Sequence, residues 1–192
     1  MLPAIDTPLF HLINATPHSS HAYIATARWA STWLPGLLGA ALALWMWLQG
    51  SDGRRSVYRT LVALAVTWLV CKLIRWGLPM PRPVVYGMGM QWIAHASDPS
   101  MPSLHAAGAF ALAQAVQLAW SRTQHWVPAL VWLATAMTAL SRVVLGVHFP
   151  TDILAGLVVG CASTQLVWWL TRRHTGPRPG LTHQTPVRHT HV

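Results

Sequence analysis

Residues 57–78, VYRTLVALAVTWLVCKLIRWGL, decide the fold. From Thr60 to Cys71 no charged side chain interrupts the run, and about 20 predominantly apolar residues let a helix cross the hydrocarbon core of a bilayer. Working outward, four more stretches of this kind appear: roughly Ser31 to Leu48 before it, then Ser103 to Trp120, Trp126 to Leu145 and Thr151 to Leu170. The expectation is an all-α protein, a polytopic membrane helix bundle with five spans. Ahead of them, Leu9-Phe10-His11-Leu12-Ile13 reads as a short amphipathic or re-entrant helix. It becomes a sixth crossing if it continues through Tyr23 to Trp29. No basic segment precedes an early apolar run, so no cleaved signal peptide is expected. Residues 1–170 read as one membrane domain, and 171–192 as a disordered, basic, His-rich cytoplasmic tail.

Composition points the same way. Of 192 residues, 53% are apolar and 9% charged, where soluble domains carry about 25% charged. The only acids are Asp6, Asp52, Asp98 and Asp152. A soluble globular enzyme is excluded. The net charge of +9 does not indicate nucleic acid, because the cations sit between apolar runs instead of on a soluble face. Eight of them (Arg54, Arg55, Arg59, Arg122, Arg172, Arg173, Arg178 and Arg188) fall on one side of the alternating spans, and excess Lys and Arg in short loops mark the cytoplasm. The segment Pro79 to Pro102 and the turn Gly146 to Pro150 then face outward, to the periplasm of a bacterial inner membrane. Trp45, Trp47, Trp120, Trp126, Trp168 and Trp169 would anchor the cytoplasmic interface.

Ionisable residues inside apolar helices usually face a cavity or a site, and here they gather at one end. Lys72, Arg75 and Arg82 lie at and just beyond the end of the second span. Ser103 and His105 open the third, Ser141 and Arg142 close the fourth, and His148 and Asp152 bracket the start of the fifth. Alternating spans bring all of them to the outer face. Guanidinium forks match phosphate oxygens, and Pro102 and Pro150 suit helix starts whose N–H groups aim at an anion. Asp152, four residues after His148, can take one ring N–H and leave the other nitrogen as a nucleophile. His105 is then available as a general acid on the leaving oxygen. No carboxylate set exists for a divalent cation, so no metal and no cofactor is expected.

Three motifs carry a family resemblance. Arg75-x6-Arg82-Pro83, Pro102-Ser103-Leu104-His105 and Ser141-Arg142-x5-His148-x3-Asp152 resemble the signature of the type 2 phosphatidic acid phosphatase (PAP2) superfamily. The resemblance implies a hydrolase in which His148 becomes phosphohistidine with Asp152 as its partner. His105 would serve first as acid and then as the base that activates water. Arg75, Arg82, Ser103, Arg142 and the backbone N–H of Leu104 would hold the phosphate. Two positions depart from the family pattern: Arg75 stands where Lys is usual, and Leu104 where Gly is common. The first keeps the charge and the second keeps a backbone donor.

A site entered from the bilayer implies a lipid phosphate or diphosphate as substrate. The superfamily covers undecaprenyl diphosphate, phosphatidylglycerol phosphate, phosphatidic acid and lipid A phosphates. Residues Leu9 to Pro17, the run Ile93-Ala94-His95-Ala96 and the length resemble small bacterial undecaprenyl-diphosphatases of the bacitracin-resistance kind, so hydrolysis of undecaprenyl diphosphate is the favoured reading. A lipid phosphotransferase and a non-catalytic membrane binder are the rivals; an intact nucleophile set speaks against the binder. His11, His18, His21 and His125 read as structural. Arg28 and Lys72 read as snorkelling cations; for His95, in the long outer segment, a structural role outweighs the alternative of lining the entrance.

Overall fold

The computed structural model describes residues 3–94, 98–120 and 126–173. The expectations placed on His95, Arg122, His125 and the tail beyond Arg173 lie outside the described residues. Seven α-helices follow one another: α1 (Pro3–Ile13), α2 (His21–Thr32), α3 (Leu34–Leu48), α4 (Ser51–Gly77), α5 (Leu104–Ala119), α6 (Trp126–Val144) and α7 (Pro150–Arg173). A single 3-10 turn, Pro83–Tyr86, lies between α4 and α5, and no strand occurs among the described residues.

Among the described residues three helices, α4, α6 and α7, are long and apolar enough to cross a membrane, and there is a fourth such span if α2 and α3, bent by 43° at their junction, count as one. Pro35, in the first turn of α3, has no N–H for the carbonyl of Ser31, and loss of that i−4 bond accounts for the bend. Helix α1 stops at Ile13 and does not continue through Tyr23 to Trp29; residues 21–32 form α2, the first member of the bent pair. The remaining expected span, α5, is apolar but has only 16 residues. It sits at the centre, packed by α4, α6 and α7, and its buried positions run round the whole helix, from Ala106 and Ala107 to Ala115 and Val116.

Small residues let α5 and α7 approach closely, as membrane helices do where side-chain bulk is removed. A Cβ on Gly160 would fall on the carbonyl of Ala107, and one on Gly156 would lie 3.1 Å from the Ala107 nitrogen. Hydroxyls tie the helices further: Thr164 donates to the Ala111 carbonyl, Thr135 to Ala109 and Thr138 to Ala30. Trp168 is not an interface anchor. It is 2% exposed and packs with Ala63, Ala115 and Val167 inside the bundle. Of the other expected anchors, Trp45 stacks on Trp120 at 4.1 Å between ring centroids, and Trp47 lies under the Arg54 guanidinium.

Helix α1 closes the end where the motifs meet. Buried Asp6 accepts from the Thr151 backbone N–H at 3.0 Å and the Thr151 hydroxyl at 2.6 Å, so it caps the first turn of α7 from across the fold. Phe10 packs on Phe149. Asn14 donates to the carbonyls of Met90 and Val144 and accepts from the Met90 N–H. The segment between α4 and α5 is thereby clamped to the turn that carries His148. Gly146 in that turn has φ +73°, and a Cβ there would strike the Met90 carbonyl, so only glycine suits the position.

Candidate active site

His148 sits in the α6–α7 turn, 1% exposed. Its Nδ1 lies 3.3 Å from Asp152 Oδ2 and 3.2 Å from Ser100 Oγ, and Ser100 donates to the same Asp152 oxygen at 2.5 Å. With Ser100 donating to the carboxylate, its remaining lone pairs and Asp152 both accept from Nδ1–H. On the other side of the ring, Nε2 lies 3.3 Å from Arg82 Nη1, and a guanidinium can only donate. The partners therefore assign the proton to Nδ1 and the lone pair to Nε2. Burial pushes the ring's pKa from its ordinary value down to about 3; the charges of Arg82 and Arg142 act in the same direction and Asp152 opposes them. Burial thus favours the neutral imidazole.

The spacing of His148 and Asp152 also has a local cause. Pro150 opens α7, and Asp152 at the third helical position reaches back to the Phe149 N–H at 2.8 Å, as the acid of a capping box does. One carboxylate thus fixes the helix start and the ring that precedes it. Asp152 is further held through its carbonyl, which accepts from the Ser103 N–H at 3.1 Å. Ser103 is itself the N-cap of α5.

Three arginines surround this core. Arg82 donates from Nη1 to the Val147 carbonyl at 2.8 Å and from Nη2 to Asp98 Oδ1 at 2.8 Å. Arg75 donates from Nε and Nη2 to the Pro102 carbonyl at 3.0 and 2.9 Å, and from Nη1 to Asp98 Oδ2 at 2.5 Å. Arg142 is 2% exposed; its Nη1 bonds Ser31, while Nε and Nη2 have no hydrogen-bond partner. Lys72, by contrast, is exposed and lies over the Trp68 ring at 5.9 Å. Arg28, also exposed, holds the Trp92 carbonyl at 2.8 Å. Ser141 turns inward to the Thr138 carbonyl at 2.6 Å.

The structure brings together Arg75, Arg82, Ser103, Arg142, His148 and Asp152, all buried. Leu104 and His105, in the first turn of α5, line a cavity of about 530 Å³ between α3, α4 and α5. Its walls are almost wholly apolar, including Gly36, Gly39, Leu61 and Leu112, and it runs from His105 to Met46 and Val57. Sequence reasoning missed Ser100, Ser31 and Asp6 as members of this arrangement, and it left Asp98 as a bystander. No periodic pattern marks any of them; each acts through contacts between segments distant in sequence.

Residues 56–175 match the family model of the PAP2 superfamily, and the chain belongs to that superfamily, a family of phosphatases acting on lipid phosphates. It is 37% identical over 172 residues to "Putative undecaprenyl-diphosphatase YbjG" of Escherichia coli (strain K12), covering 88% of this chain and 85% of that protein. With undecaprenyl-diphosphatase BcrC of Bacillus subtilis (strain 168) it shares 32% identity over 118 residues, 62% of this chain and 58% of that protein. The fold is similar to the crystal structure of Aquifex aeolicus LpxE, with a TM-score of 0.73 at 18% identity over 86% of this chain and 95% of that chain.

Proposed function

We propose that the chain hydrolyses undecaprenyl diphosphate to undecaprenyl phosphate and inorganic phosphate on the periplasmic face of a bacterial inner membrane. The observation that carries the reading is the His148 tautomer: Nδ1 is committed to Asp152 and Ser100, leaving the Nε2 lone pair beside Arg82. Nε2 attacks the terminal phosphorus and forms phosphohistidine, and the bond to the bridging oxygen breaks. His105 protonates the departing lipid phosphate, and later deprotonates the water that releases inorganic phosphate. Arg75, Arg82, Arg142, Ser103 and the Leu104 N–H hold the phosphoryl oxygens, whose charge grows in the transition state. The apolar cavity beside His105 suits a long hydrocarbon chain bound next to the reacting group. The names of the two relatives support undecaprenyl diphosphate among such lipids.

The test is a phosphate-release panel on the purified full chain in detergent with EDTA present. Undecaprenyl diphosphate should turn over at least tenfold faster than phosphatidic acid, phosphatidylglycerol phosphate or a lipid A phosphate. A faster rate with one of these would reassign the substrate. Label transfer to a second lipid without phosphate release would make the protein a phosphotransferase. Activity that vanishes in EDTA and returns with Mg²⁺ would overturn the metal-free chemistry.

A further inference from the structure

Asp98 occupies an unexpected place. Its two carboxylate oxygens bridge the two arginines of the first motif, Oδ2 to Arg75 at 2.5 Å and Oδ1 to Arg82 at 2.8 Å. A phosphate held by the same pair would present two oxygens in the same way, because carboxylate and phosphate both match the guanidinium fork. The side chains of the arginines are buried, 5% and 3% exposed, whereas that of Asp98 is 33% exposed. The guanidiniums belong to the interior, and the carboxylate comes in from the outer segment.

We propose that Asp98 is a resident anion of the phosphate site, holding Arg75 and Arg82 until the substrate's phosphate displaces it. This rests on the reading of those arginines as phosphate ligands. Two buried guanidiniums without an anion would carry a large desolvation cost; Asp98 offsets it while the site is empty and keeps both forks aimed at one point. Arg75 need not move on displacement, since its Nε and Nη2 bonds to the Pro102 carbonyl are independent of Asp98. Arg82 is tied to Asp98 through the side chain and also through the backbone carbonyl, at 3.0 Å from Nε, while its Nη1 is held beside His148 Nε2 by the Val147 carbonyl at 2.8 Å. Displacing Asp98 frees Nη2 of Arg82 for the phosphate without moving Nη1. After hydrolysis, the returning carboxylate competes with inorganic phosphate and speeds its release. Asp98 therefore sets how tightly phosphate is held.

The experiment measures binding of radiolabelled inorganic phosphate to the full chain in detergent, together with kcat and KM. Asp98→Asn should bind phosphate at least tenfold tighter than the wild type and show a lower KM, because a competing negative charge is removed. Unchanged or weaker phosphate binding in a folded Asp98→Asn protein would overturn the proposal and leave Asp98 as a residue that merely orients the arginines. Arg75→Ala and Arg82→Ala report on the underlying reading: both should weaken phosphate binding at least tenfold. Wild-type affinity in both would remove the phosphate site itself, an outcome distinct from failure of Asp98 alone. If Asp98→Asn does not fold, the wild type still decides by amide exchange. The Ser100 N–H is bonded to the Met80 carbonyl, next to the departing residue. Saturating phosphate should speed exchange in the peptide containing Asp98 and Ser100, and slower exchange would contradict displacement.

Discussion

Nη1 of Arg82 lies 3.3 Å from Nε2 of His148. The charge that would stabilise a transferring phosphoryl group thus stands on the atom proposed to attack it. On the far side of the ring, Asp152 and Ser100 hold Nδ1. His148→Ala should abolish turnover in a protein that still inserts and folds. Asp152→Asn should lower kcat by roughly a hundredfold or more, through the lost tautomer and orientation. Ser100→Ala removes a hydrogen bond to the Asp152 carboxylate and one from His148 Nδ1; a bond to a charged group contributes about 1.5–3 kcal/mol, so the change should cost roughly tenfold or more. Near-normal phosphate release from His148→Ala would remove the nucleophile assignment.

The buried ring has a pH signature. His148 is held down to about 3, while an unfolded chain binds the proton near 6.5. The unfolded state therefore takes up more protons between these values, and this residue's contribution to stability is present above pH 6.5 and lost as the pH falls toward 3. Its ¹⁵N shifts should report a neutral, Nδ1-protonated imidazole throughout pH 8 to 5. A protonated ring at pH 6 would contradict the assignment. The acid limb of activity above pH 5 should then belong to another group.

Arg75 and Lys72 share a face of α4, and only Arg75 turns into the site; it is buried while Lys72 is exposed. Arg75→Ala should lower kcat/KM by roughly a hundredfold, about 3 kcal/mol, as loss of a charged hydrogen-bond partner does. Arg75→Lys should recover part of that. Lys72→Ala should stay within about threefold of wild type, since an exposed cation–π contact contributes less than about 1 kcal/mol. A dead Lys72→Ala beside an active Arg75→Ala would shift the first motif by one turn.

Sidedness is testable by thiol labelling. Val85, in the 3-10 turn, is 70% exposed, and Ser51 at the start of α4 is exposed at the opposite end of that helix. In a Cys161→Ala background, where the remaining Cys71 is buried, Val85→Cys should react with an impermeant maleimide in cells with a permeabilised outer membrane. Ser51→Cys should not. The reverse pattern would place the site on the cytoplasmic side.

Much of this was legible in the sequence, for identifiable reasons. Apolar runs gave α4, α6 and α7, since each had to be long enough to bury its own backbone in hydrocarbon. The motif residues could be placed at one end because alternating spans force it. The bent first span was not legible, because residues 21–32 are only weakly apolar and the break comes from Pro35 denying a partner to Ser31. Trp168 looked like an anchor by type and position; the glycines and alanines of α5 and α7 draw that helix pair together and leave the indole inside. Ser100 and Asp98 were hidden for a different reason. They lie in an irregular segment, where side-chain direction follows from tertiary contacts such as the Ser100 N–H to Met80 carbonyl bond and from no periodicity.

The most direct measurement of the central claim is to trap the intermediate. The full chain, turning over undecaprenyl diphosphate radiolabelled in its terminal phosphate, is quenched in strong base and digested. The expected label is stable in base, lost in acid, and confined to the peptide containing His148; it should be absent from His148→Ala. Steady turnover with no protein-bound label at any quench time, or label on a peptide that excludes His148, would contradict that claim.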